Sequence, residues 1–160
     1  MALTRRFLRE KALQVLYAFE LTKDPIEQIK QLQLIDIEKK DDRKFCEDII
    51  RYTIDDNDKY EAIIKDTVDN WDIERIALID AIIIKMCLAE FFCFEDIPTK
   101  VSINEYIDVA KDFSTKNSGR FVNGVLDAIL NKLKTEKLID KKGKGLIGEK
   151  NTRKKEHPVA

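Results

Sequence analysis

Asn117, Ser118, Arg120 and Phe121 are the side chains best suited to bind a ligand, because amide, hydroxyl, guanidinium and aromatic groups fall within five consecutive positions. In single-stranded RNA a base can stack on an aromatic ring, a phosphate can bind a guanidinium, and an amide can hydrogen-bond a base edge. The stretch therefore predicts an RNA-binding patch. A purely structural interpretation stays open, since Asn and Ser also cap helices and a Phe can begin an apolar stripe.

A second candidate surface lies on the first predicted helix, where Arg5, Arg6 and Arg9 precede Tyr17. The apolar stripe of this helix leaves Arg6 and Tyr17 together on another face and places Arg5 and Arg9 at its edge. Cationic side chains beside an aromatic ring suit a polyanion. The alternative is a solvated helix surface with a half-buried tyrosine and weak ion pairs.

Charge is distributed unevenly along the 160 residues, although the formal total is only −1. Residues 1–11 carry four basic and one acidic side chain, and residues 137–155 carry eight and two. Residues 12–136 carry 17 basic and 26 acidic side chains, a net of −9. Basic ends on an acidic body suit a polyanion at the ends and a basic protein on the body. A solvated helical surface with a basic tail explains the same pattern.

Catalytic groups are scarce. The chain has one histidine, His157, so nucleophilic catalysis of the Ser-His or Cys-His type has no base in the predicted body. The glycine-containing run at 141–148 lacks the Lys-Ser/Thr pair of a phosphate-binding loop. Adjacent carboxylates such as Asp55 and Asp56 are common on helix surfaces. The sequence predicts a protein that is not an enzyme and needs no cofactor or metal.

Cys46, Cys87 and Cys93 are odd in number and lack the paired spacing of a zinc site, which favours buried free thiols in a reducing compartment. The first ten residues contain no apolar signal core. The apolar run at 77–94 is interrupted by three charged residues, so it favours a buried central helix over a membrane span. A cytoplasmic protein is expected.

The fold class predicted is all-α, because apolar residues recur at spacings of three and four and there are only five Gly and three Pro. One domain is expected over 1–138, followed by a flexible basic tail over 139–160. A helix break is expected between Asp55 and Asp58, and another helix is expected to approach Gly124 closely. The predicted helix-start signals are Thr4, Asp24 with Pro25, Asp72, the capping box Ser102 with Glu105, and Asn117 or Ser118.

Three segments, in order, resemble the NusB family of bacterial transcription antitermination factors. They are RRFLREKALQVLYAFE at 5–20, NWDIERIALIDAIIIKMCLAEF at 70–91, and the segment 97–127 with its F-V-N-G-V-L-D block. The likeness covers about residues 4–133. It implies an all-α, NusB-like bundle of about six to seven helices in two small subdomains.

The resemblance also implies a function. Members bind the single-stranded boxA RNA of ribosomal RNA operons together with NusE, a small-subunit ribosomal protein, as part of the RNA polymerase antitermination complex. Some relatives form homodimers, so self-association is a further expectation. The alternatives from other classes are a protein-binding helical scaffold and an accessory module of a ribosomal RNA methyltransferase.

Residue roles follow from the resemblance by position. Two places depart from the family pattern: Phe7 stands where relatives often carry a third consecutive Arg, and Ala81 stands where a basic residue is common. The resemblance assigns RNA contacts to Arg5, Arg6, Arg9 and Tyr17, and a second RNA patch to Asn117, Ser118, Arg120 and Phe121. Lys100, in the loop before the predicted capping box, is expected to join the cationic rim. Asp80 matches a family acidic position near the RNA or the ribosomal partner, and Lys85 and Glu90 are further candidates for partner contacts.

Overall fold

A computed structural model describes residues 3–68, 76–115, 117–139 and 141, and within these ranges every regular element is a helix. This confirms the all-α prediction. The seven helices are α1 (Arg5–Thr22), α2 (Ile26–Gln33), α3 (Lys40–Asp55), α4 (Asn57–Thr67), α5 (Leu78–Cys93), α6 (Thr99–Phe113) and α7 (Ser118–Thr135).

Helix α5 is the centre of the core, as its continuous apolar composition predicts. It packs against α1, α3, α4, α6 and α7. Ile83, Ile84, Met86, Cys87 and Leu88 are consecutive or nearly so and all have zero exposure, which means that this helix is covered on every side. The helices around it, such as α1 and α7, are amphipathic and turn an apolar face toward the core, whereas α2 packs against α1.

Helix starts were predicted with mixed success. Thr4 caps α1 by accepting a hydrogen bond from the Phe7 backbone N–H, and the break falls between α3 and α4 as expected. Asp24 is not the cap of α2; Pro25 holds that position. The predicted Asp72 cap lies outside the described residues.

The capping box predicted at Ser102 and Glu105 is wrong. Helix α6 begins earlier, at Thr99, directly after Pro98. Ser102 is therefore inside the helix and fully buried, and its hydroxyl donates to Glu90 over 2.8 Å. A proline that sets its own φ can start a helix without a side-chain cap, and this is the signal that the sequence interpretation passed over.

The close helix contact predicted at Gly124 is also wrong. Gly124 is exposed, and a Cβ added there would meet nothing within 4 Å. The close approach occurs at Gly119 instead, where an added Cβ would lie 3.0 Å from side-chain carbons of Lys111. Gly119 is buried at the start of α7, so it allows α6 and α7 to meet near their connection.

Helix directions place the candidate residues. Arg9 bonds Glu90 near the end of α5, whereas Ser118 lies against Asp80 near its start. Helix α1 therefore begins beside the C-terminal end of α5, and the connection between α6 and α7 lies beside its N-terminal end. Arg6 contacts Glu105 and Asp108, so the start of α1 lies along α6.

Lys141, which lies in the tail predicted over 139–160, packs onto the same bundle. Lys141 is 4% exposed, and its Nζ donates to the carbonyl oxygens of Glu90 and Phe94, both at 2.6 Å. These carbonyls lie at the C-terminal end of α5, where the Glu90 carbonyl also accepts from the Phe94 N–H and the Phe94 carbonyl from the Ile97 N–H. The predicted tail from 142 onward lies outside the described residues.

Candidate nucleic-acid interface

The connection between α6 and α7 presents an exposed amide and an exposed guanidinium. Asn117 directly precedes α7 and Arg120 lies in its first turn, and both are exposed. Phe121 is half-buried and packs against the core, while its backbone N–H donates to the Asn117 carbonyl over 3.1 Å. The exposed groups of this patch can hydrogen-bond and neutralise a phosphate, and Phe121 beside them is partly exposed.

Ser118 does not belong to the exposed part of that patch, which corrects the sequence-based assignment. It is 3% exposed, and its Oγ lies 3.1 Å from Asp80 Oδ2 and 2.8 Å from Ser114 Oγ. It also accepts a hydrogen bond from the Thr115 backbone N–H over 3.2 Å. Ser118 therefore fixes the connection to the start of α5 and positions its neighbours.

Asp80 is a buried structural partner and not a docking residue. It is 6% exposed, with Oδ2 facing Ser118 and Oδ1 lacking a hydrogen-bond partner among the described residues. A protein that bound this site would have to open the contact between α5 and α7. The proposed partner contact at Asp80 is thus corrected.

The RNA contact assigned to Arg9 and the partner contact assigned to Glu90 are also corrected, because these two side chains pair with each other inside the bundle. Arg9 Nε and Nη2 donate to the two carboxylate oxygens of Glu90, each over 2.8 Å, and the two side chains are 3% and 0% exposed. Glu90 also accepts hydrogen bonds from Ser102 and from the Tyr106 hydroxyl. The carboxylate is therefore fully satisfied and joins α1, α5 and α6.

Electrostatics in this buried cluster keep the ion pair charged. Burial works against the charge of Arg9, but the hydrogen bond and the attraction of Glu90 outweigh it, so the pKa of Arg9 is raised. Burial and the Glu90 charge raise the pKa of Tyr106 well above its usual value, which keeps the hydroxyl a donor. Neither Arg9 nor Glu90 can reach a phosphate or a partner while the bundle is closed.

Lys85 lines a cavity of about 700 Å³ between α1, α3, α4 and α5. Its Nζ donates to Asn57 Oδ1 over 2.8 Å and to Glu61 Oε1 over 2.9 Å, and its side chain is 13% exposed. The hydrogen bond from Lys85 lowers the pKa of Glu61. This lysine connects two helices, so a partner would compete with bonds that it already makes.

The start of α1 and the start of α6 keep three cations at the surface. Arg5 and Lys100 are exposed, and the Arg5 guanidinium carbon lies 4.5 Å from the centre of the Phe45 ring. Arg6 is 42% exposed in its side chain. Tyr17 is half-buried and packs against the core further along α1. The cationic side predicted for α1 is thus reduced to Arg5 and Arg6, with Lys100 on a neighbouring helix.

Arg6 is not an isolated cation, which the sequence did not reveal. Its Nε donates to Glu105 Oε2 over 2.8 Å and its Nη2 donates to Asp108 Oδ2 over 2.7 Å. The hydrogen bond with Glu105 raises the pKa of Arg6, and Asp112 adds to the attraction. The spacing of these three acidic residues along one face of α6 is the sequence signal for this contact, but Glu105 also fits the capping box predicted with Ser102.

Helix α6 connects the two candidate surfaces. Asp108, beside Arg6, lies five residues before Phe113, the last residue of the helix, and this corresponds to about 8 Å of helix axis. The connection that carries Asn117 follows directly. The cationic start of α1 and the patch at the start of α7 therefore both adjoin α6, and we call these two surfaces together with this helix the α6 flank.

Other classes of site find little support in the described ranges. There, no group of three or more His, Cys, Asp or Glu side chains is arranged to hold a metal ion. Cys46 and Cys87 are buried, and burial raises the pKa of the Cys46 thiol to about 12. No helix among these residues is long and apolar enough to cross a membrane.

The fold and this flank define a class of protein: an all-α bundle around one buried helix, with exposed cations near the start of α6 and an exposed cation and amide after its end. The chain belongs to the NusB family, whose model matches residues 6–131. The family assignment made from the three sequence segments is therefore confirmed.

Named relatives agree. The chain is 39% identical over 152 residues to the transcription antitermination protein NusB of Chloroherpeton thalassium, covering 92% of this chain and 71% of the relative. It is 41% identical over 148 residues to NusB of Salinibacter ruber, covering 91% and 92%.

Solved structures show the same fold. NusB of T. maritima has a TM-score of 0.76 and 29% sequence identity, covering 82% of this chain and 93% of that one. A complex of the antitermination factors NusB and NusE with double-stranded RNA contains a chain with a TM-score of 0.72 and 20% identity, covering 80% and 96%.

Proposed function

We propose that this chain is a non-catalytic, RNA-binding transcription antitermination factor of the cytoplasm. It binds the single-stranded boxA element of ribosomal RNA operons together with NusE. The observation that carries the proposal is membership of the NusB family over residues 6–131, with relatives near 40% identity named as antitermination proteins. A protein of the same fold, solved together with NusE and RNA, supports the two kinds of partner.

The exposed residues suggest a division of labour along the α6 flank. Arg5, Lys100 and Arg120 are surface cations that can bind phosphates of any sequence. Asn117 and the accessible part of Phe121 can contact base edges and stack on a base, which gives preference among sequences. The phosphate contacts provide affinity and the patch at the start of α7 provides discrimination.

The test uses Arg120→Ala and Asn117→Ala, with Lys65→Ala as a matched control on exposed α4 surface. Arg120→Ala should lower the affinity for boxA RNA and for a scrambled RNA alike, by roughly threefold. It should also reduce the slope of log affinity against log salt concentration by about 0.7. Asn117→Ala should lower the affinity for boxA RNA by about fivefold, the value of one hydrogen bond, and leave the affinity for the scrambled RNA unchanged. Fluorescence anisotropy at several salt concentrations measures both effects.

The control should change either affinity by less than about twofold, because one remote surface charge is screened by salt. Equal affinities of the wild type and both variants for both RNAs would reject the assignment of this surface. Addition of NusE should tighten boxA binding, and the same degree of tightening with scrambled RNA would argue against a boxA-specific complex.

A further inference from the structure

Arg6 is a surface cation of α1 whose charge is already taken up by the protein itself. Its guanidinium bonds Glu105 over 2.8 Å and Asp108 over 2.7 Å, with Asp112 close enough to add to the attraction. These carboxylates are 27% and 41% exposed, so the ion pairs lie at the surface where RNA would arrive.

The local charge around Arg6 is negative. Glu10, one turn further along α1, has a pKa raised by burial and then by Asp112, which shows that it faces the same group. Two carboxylates, of Glu105 and Asp108, thus bond the guanidinium, and two more, of Glu10 and Asp112, are near enough to interact with its charge, a net of −3. A phosphate that approaches Arg6 meets repulsion before it can form a hydrogen bond.

We propose that Glu105 and Asp108 are intramolecular competitors of RNA phosphate for Arg6 and so set the RNA affinity of this surface. This inference rests on the proposed RNA-binding function. In the free protein the two carboxylates occupy the positions that phosphate oxygens would take, on the Nε and Nη2 atoms of Arg6. Phosphate binding at Arg6 requires these bonds to be exchanged.

The exchange is possible because the pairs are weakly held. Surface ion pairs contribute little to stability, since water solvates both partners once they separate. The Arg9 pair on the same helix differs, because its carboxylate is fully buried and the exchange would open the core. Of these two arginines, only Arg6 can therefore exchange a carboxylate of the protein for a phosphate of the RNA.

The experiment is a double-mutant cycle read out with poly-uridine RNA and boxA RNA. The double variant Glu105→Gln, Asp108→Asn keeps the shape of both side chains and removes two charges. Poly-uridine binding is expected to tighten about fivefold, the value of about one net hydrogen bond between the released Arg6 guanidinium and a phosphate. Asp55→Asn is the control, because Asp55 is exposed and lines a groove between α2 and α3.

Arg6→Ala separates competition for Arg6 from general repulsion. In the wild type, where the charge of Arg6 is neutralised, this change should weaken poly-uridine binding by less than about twofold. In the double variant it should remove the whole gain, because the released guanidinium is what the RNA binds. Unfolding midpoints of all variants, measured in urea, confirm that each is folded.

Each result decides. Unchanged or weaker binding by the double variant overturns the competition, as does a gain that survives Arg6→Ala or that Asp55→Asn reproduces. The proposed function is judged separately, by the preference of wild type for boxA over scrambled RNA. A wild type without that preference, together with an Arg6-dependent gain in the double variant, would leave the competition standing and remove the boxA function.

Discussion

Arginines three residues apart on one helix have different fates in this protein, and the difference is set by what lies opposite them. Arg9 faces the end of α5 and is buried against Glu90, whereas Arg6 faces the exposed side of α6. The sequence placed Arg9 at the edge of the apolar stripe, and an edge position is compatible with either outcome. Only the position of Glu90, 81 residues away, decides that this arginine belongs to the core.

Removing Arg9 should therefore be far more costly than removing Arg6. Arg9→Ala leaves the Glu90 carboxylate buried without its counter-ion, which is expected to lower the free energy of unfolding by about 3–5 kcal/mol. Arg6→Ala breaks a half-exposed pair and should cost less than about 1 kcal/mol. Urea unfolding followed by circular dichroism measures both. Similar losses for the two variants would show that Arg9 does not stabilise the core through Glu90.

Helices were predictable in number and type, but their contacts were not. Apolar spacing identified α1 and α7, and the continuous apolar run identified α5 as the buried centre. Local signals failed where a second mechanism competed, as at Ser102, where Pro98 starts the helix and frees the serine to bond Glu90. The candidate site suffered most, because exposure of Ser118 and Asp80 depends on how α5 and α7 meet.

Glycine in α7 gives a prediction at the scale of the helix. Gly124 lies mid-helix with nothing within 4 Å of an added Cβ, so Gly124→Ala should raise the free energy of unfolding by about 1 kcal/mol. Gly119→Ala is the comparison, because its Cβ would meet Lys111 carbons at 3.0 Å and the lysine would have to move. The increase in the free energy of unfolding should be smaller for Gly119→Ala than for Gly124→Ala. Thermal unfolding distinguishes them, and a destabilised Gly124→Ala would mean that the exposed face is not open.

At the scale of the whole molecule, one buried helix organises the rest, and its ends are closed by residues distant in sequence. Ser118 lies against the first turn of α5, and Lys141 bonds carbonyls of the last turn. Cations satisfy carbonyls at a helix C-terminus both by hydrogen bonding and by the helix dipole. Composition alone assigned Lys141 to a basic tail, because a lysine among lysines and glycines gives no local sign that it will be buried.

Closure of α5 by Lys141 predicts that part of the basic segment contributes to folding and not only to charge. Lys141→Ala leaves the Glu90 and Phe94 carbonyls without this donor, and the free energy of unfolding should fall by about 1.5–3 kcal/mol, the range for hydrogen bonds to a charged group. Lys134→Ala, an exposed cation in the last turn of α7, removes the same charge and should change it by less than about 0.5 kcal/mol. Denaturant unfolding of both variants at low and high salt completes the comparison. A Lys141→Ala effect that disappears in high salt, or that Lys134→Ala equals, would mean that the lysine acts through general charge and that its bonds to the two carbonyls add nothing to the backbone bonds they already accept.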